Sequence, residues 1–294
     1  MSRVPYHELK ARERIAAICD RGSFNEILPP PERVMSVFLP ELGIPVSFDD
    51  GLIIGRASLN GSPVYLAAQV GQFVGGSVGE VHSAKLVGLI ESAARDKIPF
   101  VMLIESGGVR LHEGSSGEIG IAESMRAVFA CRTLGVATIA VIGSDIGAYG
   151  GMGIFSACCG SRVMTEHGRL GVSGPIVIEK WMGKQAFDSS DRALIWKTSG
   201  GKTRYLLGDA DVLVDDSTDA VRAGIISLLG QPAPVTLGSV SADQQRLEAR
   251  LVQFGKTTNP DDIWTASGVT DIAAASLASG GEFANSYPKK SSAQ

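Results

Sequence analysis

The sequence predicts an α/β fold with a largely parallel sheet, and three observations carry that expectation. Apolar runs bulky enough for fully buried strands, Phe100 to Ile104 and Val136 to Ile142, alternate with segments of helical periodicity such as Ile119 to Leu134. Both strands end in glycine: Gly107-Gly108 after the first, and Gly147, Gly150, Gly151 and Gly153 after the second. Strand, helix and strand in repeated succession argue for right-handed crossovers and parallel pairing.

The first expected element is a helix over His7 to Asp20, with Leu9, Ile15, Ala16 and Cys19 on one face, stopped at Asp20-Arg21-Gly22-Ser23. Phe24 to Asp50 is irregular and proline-rich, which suits a segment wrapping the surface. Leu52 to Leu59 and Val64 to Val70 read as strands turned back at Asn60-Gly61, so the sheet begins antiparallel. A glycine-dense loop, Gly71 to Gly79, leads into a helix over Glu80 to Ala94, where Val81, Ala84, Val87, Ile90 and Ala94 form a stripe. Past the two apolar strands, a helix of small residues runs from Gly150 to Cys159, and its content of Gly153, Ala157 and Cys158 suits close packing.

Val163 to Thr165 and Asp211 to Val214 look like further short strands, with one or two helices between Trp181 and Asp209 covering the site. Asp219 to Leu229 is a helix, and Gln231-Pro232-Ala233-Pro234 marks a boundary. The expected organisation is a main domain over residues 1–229, a partner-packing arm over 230–279 and a disordered tail over 280–294. The arm carries an amphipathic helix, Ser241 to Phe254, with Leu247, Leu251 and Phe254 on one side.

A chain of 294 residues has room for a substantial core. Its formal net charge of −4, with no basic block, argues against nucleic acid or an acidic membrane surface as partner. Met1 to Asp20 lacks the apolar core of a signal peptide and no run long enough to span a bilayer exists, so a cytoplasmic location is expected. Cys19, Cys131, Cys158 and Cys159 form no C-x-x-C pair, and no metal pattern appears; buried reduced thiols are expected. Gly200-Gly201-Lys202-Thr203 lacks the leading glycine of a phosphate-binding loop, since Trp196 stands there. Gly171-Val172-Ser173-Gly174-Pro175 breaks the nucleophile-elbow pattern at its last position.

The chemistry is therefore expected from main chain. Gly107 and Gly108 leave two N–H groups with no Cβ in a ligand's way, and Gly150 and Gly151 repeat the device on the next strand, where the helix N-terminus favours negative charge. Two such turns can aim donors at one oxyanion from two sides, which suits an enolate formed from a thioester. Around them, Arg110 is a candidate either to hold an anion or to brace the loop through Glu113. His112 and Tyr149 are candidates to reach the substrate, and with a bound water they are the available proton sources.

Four stretches in order carry a resemblance: Ala11-Arg12-Glu13-Arg14-Ile15, Gly22-Ser23-Phe24, Gly75-Gly76-Ser77-Val78-Gly79-Glu80-Val81-His82, and Ser106-Gly107-Gly108-Val109-Arg110-Leu111-His112-Glu113-Gly114. They resemble the amino-terminal half of acyl-CoA carboxyltransferases of the propionyl-CoA and acetyl-CoA carboxylase type, over roughly Arg12 to Leu229. The resemblance implies the crotonase (ClpP-like) ββα superhelix fold in a single carboxyltransferase amino-terminal-type domain. Nothing here supplies the four-Cys zinc ribbon of the bacterial acetyl-CoA carboxylase β subunit, and the chain has no room for a second crotonase-like half.

Over nearly its full length the sequence is similar to the β-subunit family of biotin-independent malonate decarboxylases. That likeness implies decarboxylation of a malonyl thioester carried on the phosphoribosyl-dephospho-CoA arm of an acyl carrier protein, the δ subunit. It implies no cofactor bound by this chain and no biotin. The implied partners are a homologous γ subunit forming the other half of the site and an α transferase subunit. By position, the oxyanion donors would come from Gly107, Gly108, Gly150 and Gly151; Arg110, Lys180, Lys184 and Lys202 are among the candidates to hold the carrier's phosphates. The alternative is the β subunit of a biotin-dependent acyl-CoA carboxyltransferase.

Overall fold

Seven strands lie side by side in sequence order: β1 (Asn25–Ile27), β2 (Leu52–Leu59), β3 (Ser62–Gln69), β4 (Phe100–Ile104), β5 (Thr138–Ile142), β6 (Ser161–Thr165) and β7 (Val212–Val214). They come from a computed structural model that describes residues 4–288. β1, β2 and β3 pair antiparallel, and every pairing from β3 to β7 is parallel. Asn60 and Gly61 turn the β2–β3 hairpin with φ of 52° and 77°, the two positive values that a tight hairpin requires. β1 falls inside the segment expected to be irregular; three residues are too few for a period to show in sequence.

Thirteen α-helices are described. Those before the sheet's far edge are α1 (Ala11–Ile18), α2 (Phe38–Glu41), α3 (Glu80–Asp96), α4 (Ser115–Thr133), α5 (Gly150–Cys158), α6 (Pro175–Met182), α7 (Arg192–Ser199) and α8 (Gly201–Leu206). After it come α9 (Thr218–Leu228), α10 (Leu237–Phe254), α11 (Pro260–Ala266), α12 (Ile272–Leu277) and α13 (Gly280–Ser286). Phe100, Met102 and Ile104 of β4 pack in one core with residues of α3, α4 and α5, while Val101 and Leu103 pack in the other with residues of α1 and α9. A strand covered on both faces must be apolar at every position, which is why β4 and β5 read as unbroken apolar runs. All four cysteines are buried free thiols. Among the described residues, no helix is long and apolar enough to cross a membrane.

The boundary expected at residue 229 does not end the core. Trp264 on α11 and Phe283 on α13, 2% and 0% exposed, belong to the same cluster as Met102 and Ile104. Trp264 Nε1 donates to Thr203 Oγ1 at 2.8 Å, and the two rings meet edge-on at 5.3 Å. Residues 280–286, expected to be disordered, form α13, opened by a reciprocal cap between Ser279 and Glu282. Small and polar composition hid the one large anchor, Phe283, that ties this helix down. The rest of the expected tail, residues 289–294, lies outside the described residues. Of the expected arm, only α10 has no buried residue; Leu237, Leu251 and Val252 on it are exposed.

Phe283→Ala is expected to cost about 3–5 kcal/mol of stability, the range for emptying an aromatic core position. Urea denaturation checks this. A change within about 0.5 kcal/mol, typical of a surface site, would show that α13 is no part of the core.

Candidate active site

The two glycine bends lie at the carboxyl ends of β4 and β5, the usual ligand end of a parallel sheet. Pairing continues past the strands: Ser106 N donates to Gly147 O at 2.8 Å and Tyr149 N to Ser106 O at 2.9 Å, forming a parallel bridge between Ser106 and Ala148. This brings the bends so close that a Cβ built on Gly150 would stand 3.0 Å from Gly108 Cα, and one on Gly108 would stand 3.6 Å from Gly150 Cα. Gly108 and Gly150 also take φ of 133° and 56°. Only glycine accepts that approach and that backbone together.

Following each amide corrects the choice of donors. Gly107 N donates to Gly75 O at 2.9 Å, Gly150 N to Val172 O at 3.0 Å, and Gly108 N to Ser106 Oγ at 3.1 Å. Of the four glycines singled out in the sequence, only Gly151 keeps an N–H with no hydrogen-bond partner among the described residues. The free donor of the first bend is Val109, one residue beyond the glycine pair, whose flanking groups are engaged by Gly108 O accepting from Val78 N and Arg110 N donating to Val78 O. A Cβ on Gly150 would lie 3.9 Å from Val109 N, and one on Gly151 would lie 3.2 Å from Val109 Cγ2, so the residues that carry the two unpaired amides stand side by side. Gly151 is also in the first turn of α5, where unpaired N–H groups and the helix dipole favour an anion. No side-chain signal could have marked Val109, because what sets it apart is a main-chain amide.

Buried charge holds the bends in place. Arg110 is fully enclosed: Nη1 meets Asp50 at 3.0 Å and Glu113 at 2.9 Å, and Nη2 donates to the carbonyls of Asp50 and Ser77 at 3.2 Å each. Of the two readings of this residue, the geometry gives the brace; its guanidinium faces no open space, which corrects the expectation that it touches substrate. Glu113 in turn accepts from Glu80 N at 2.6 Å, pinning the start of α3. Behind the first bend, Glu105 Oε2 meets Arg14 Nη1 at 2.8 Å, both side chains nearly fully buried. Gln69 accepts from Glu105 N at 3.2 Å and donates to Gly76 O at 3.2 Å, with His82 Nε2 alongside at 3.3 Å. Burial, with Arg110 and Lys85 nearby, pushes the His82 imidazole down to about 3, so it stays neutral. Asp50 and Gln69 escaped the sequence reading, since lone polar residues in a loop and a strand carry no pattern, and His82 entered it only as the end of a matched stretch, with no role assigned.

The remaining candidates divide. Tyr149 is buried, and its hydroxyl lies 3.4 Å from Ser199 Oγ, so it is tied to α7 instead of free at the bend. His112 is exposed on the turn Leu111–Glu113 beside the site. Lys202 Nζ is engaged by the carbonyls of Ala275, Ser276 and Ala278 at 3.0, 2.9 and 2.5 Å, closing the end of α12, and offers nothing to a phosphate. Lys180 and Lys184 are exposed on and just after α6.

Comparison with known proteins agrees with this architecture. The carboxyl transferase domain matches residues 5–225. The chain belongs to the carboxyl transferase family. Within it, the chain is 37% identical over 284 residues to the malonyl-S-ACP:biotin-protein carboxyltransferase MADC of Malonomonas rubra, covering 89% of this chain and 88% of that one. It resembles a subunit of a Pseudomonas malonate decarboxylase hetero-tetramer solved with malonate, with a TM-score of 0.80, 36% identity, and 89% and 96% of the two chains covered. A putative propionyl-CoA carboxylase β chain of Bacillus subtilis is 34% identical over 181 residues, and there the match spans 34% of the relative. The carboxyl transferase fold, of the crotonase type, is thus shared with enzymes acting on acyl thioesters, and the Pseudomonas relative is a subunit of a hetero-oligomer.

Because His82 is neutral in the folded state and titrates near 6.5 when unfolded, the unfolded chain binds the extra proton at low pH. Stability from this group is complete above about pH 6.5 and falls as pH drops toward 3, at about 1.4 kcal/mol per pH unit. His82→Gln is expected to flatten that portion of the profile in denaturation measured between pH 7 and 5. Parallel profiles for the two proteins would contradict it.

Proposed function

We propose that this chain is the β subunit of a malonate decarboxylase that acts, with a homologous γ partner, on malonyl-S-acyl carrier protein and releases CO2 and acetyl-S-acyl carrier protein. The observation that carries the reading is the pair of amides, Val109 and Gly151, that have no hydrogen-bond partner among the described residues and belong to neighbouring residues of the two bends. When the bond between the α-carbon and the carboxylate breaks, its electron pair moves into the thioester and leaves charge on the thioester oxygen. Two fixed N–H donors stabilise that charge most when it is fully developed, the condition for lowering a barrier and not merely binding substrate. Keeping the departing carboxylate from water raises its energy further, and the reaction then needs neither a nucleophile nor a metal. The enolate carbon takes its proton from water or from a group the partner brings, with exposed His112 the candidate on this chain.

The partner has a surface to meet. Leu111 and Ile119, on the turn and helix after the first bend, are exposed, Leu111 at 80%; so are Val172 at 68%, whose carbonyl accepts from Gly150 N, and Ile176, Trp181 (89%) and Met182 on α6 just beyond it. Apolar side chains of this size exposed around a reacting site that must exclude water fit a half-site completed by a second subunit. The malonyl group would arrive on the phosphoribosyl-dephospho-CoA arm of a δ carrier protein, loaded by an α transferase subunit, with no cofactor on this chain and no biotin. A second reading is favoured by the likeness to the Malonomonas rubra enzyme: the same bend would release CO2 to a biotin-carrying protein. Both readings use the same enolate.

The complex is expected to decarboxylate malonyl-carrier at an unchanged rate in the presence of avidin, and the isolated chain to be inactive. Avidin inhibition would give the reaction to biotin transfer, and full activity of the lone chain would end the half-site reading. Gly150→Ala, which sets a Cβ 3.0 Å from Gly108 Cα, is expected to lower kcat on the order of a hundredfold while the complex still assembles. A kcat equal to wild type in an assembled complex would contradict the role of the bends.

A further inference from the structure

Three residues outside the bends are brought together from distant parts of the chain. His7 lies on the turn Tyr6–Glu8, His167 in the loop after β6 and Asp216 in the loop after β7. One ligand-capable atom from each lies within 4.8 Å of the other two, and all three residues are half-buried. We propose that His7, His167 and Asp216 bind one divalent transition-metal ion of the zinc class. Two imidazoles and one carboxylate are a nitrogen-rich donor set of the kind that zinc, cobalt and their neighbours take, with a further position left for water. Zinc bonds of roughly 2.0–2.2 Å place tetrahedral ligand atoms a little over 3 Å apart, so the three atoms must draw together and one imidazole must turn, a side-chain rearrangement and not a refolding. His7 Nδ1 now touches an Asp216 carboxylate oxygen directly, and the metal would take the place of the shared proton.

The surroundings hold the set in place. The backbone of His7 is fixed on both sides, its N–H donating to Asp216 Oδ1 at 3.1 Å and its carbonyl accepting from Arg14 Nη2 at 3.0 Å. The two imidazoles stack at 4.5 Å with planes 24° apart, so one ring must turn before both in-plane lone pairs meet one ion, and Trp196 stands edge-on to His167 at 5.5 Å on one side. Charge points the same way: Asp145, Glu166, Asp215 and Asp216 gather here, and Glu166 Oε2 is buried with no hydrogen-bond partner. The lysine in range, Lys202, is already committed to three carbonyls. A divalent cation would offset the surplus.

The ion would act as a staple, not as a reagent. His167 begins the stretch that runs through Arg169, whose carbonyl accepts from Ala148 N at 2.8 Å, to Val172, whose carbonyl accepts from Gly150 N at 3.0 Å. Fixing His167 to the amino-terminal turn and to the end of β7 would steady that stretch from behind.

The test uses the full-length chain, stripped with EDTA and dialysed, then titrated with Co2+ and afterwards with Zn2+. One Co2+ per chain is expected, with the visible bands of a low-symmetry nitrogen and oxygen site that Zn2+ abolishes, and Zn2+ should raise the Tm above its value in EDTA. His167→Gln and Asp216→Asn are each expected to weaken Co2+ binding by more than roughly a hundredfold, since even outer-shell partners are worth about 10–100-fold. Both variants should keep the circular dichroism of the metal-free protein; if one fails to fold, the other decides. Absence of Co2+ bands in the wild type, or binding retained in a folded variant, would overturn the proposal and leave a plain His–Asp pair.

Discussion

The structure depends on the approach of two backbones, at Gly108 and Gly150, whose positive φ values favour glycine and where a Cβ on Gly150 would stand only 3.0 Å from Gly108 Cα. Everything nearby serves to hold that approach. The sheet, apolar on both faces, supplies a rigid platform, and the Ser106–Ala148 bridge carries its pairing past the strand ends. The engaged amides are as important as the free ones. Gly107 N is fixed to Gly75 O and Gly150 N to Val172 O, which ties both bends to their neighbours, while Val109 N and Gly151 N have no hydrogen-bond partner among the described residues. An oxyanion site is preorganised in this sense when its donors have nowhere else to turn.

The buried ions around the bends fit the same logic. Replacing a buried ion pair with apolar side chains is often neutral or favourable, so Arg110 with Asp50 and Glu113, and Arg14 with Glu105, are poor explanations of stability as such. Their value lies in direction. Arg110 has hydrogen bonds to three separate segments, at Asp50, Ser77 and Glu113, which an apolar residue of equal size could only touch. Removing one partner would leave an uncompensated charge, so the set is held together or not at all.

Much of this was legible in the sequence, for physical reasons that can be named. β4 and β5 announce themselves because a strand buried on both faces is apolar throughout, and the hairpin at Asn60-Gly61 because positive φ selects those residues. The two bends were visible through their glycines, yet the glycines mark where backbones approach, not which amide is free. Val109 could be found only by following each hydrogen bond. The ambiguity over Arg110 was real, since the same residue in a loop can face a ligand or turn inward, and only Asp50, from a segment with no pattern, settles which. Phe283 was missed because a single anchor among small polar residues leaves no period. His7, His167 and Asp216 meet only through the fold, lying 160 and 49 positions apart along the chain.

The central claim is that main-chain amides, not a reactive side chain, receive the charge left on the thioester oxygen. A crystal structure of the assembled complex with a non-hydrolysable malonyl thioester analogue tests it directly. The account predicts the thioester oxygen within hydrogen-bond reach, about 2.7–3.1 Å, of both Val109 N and Gly151 N, with no charged side chain of this chain in contact. An oxygen held instead by His112 or another side chain, or lying away from both bends, would contradict it.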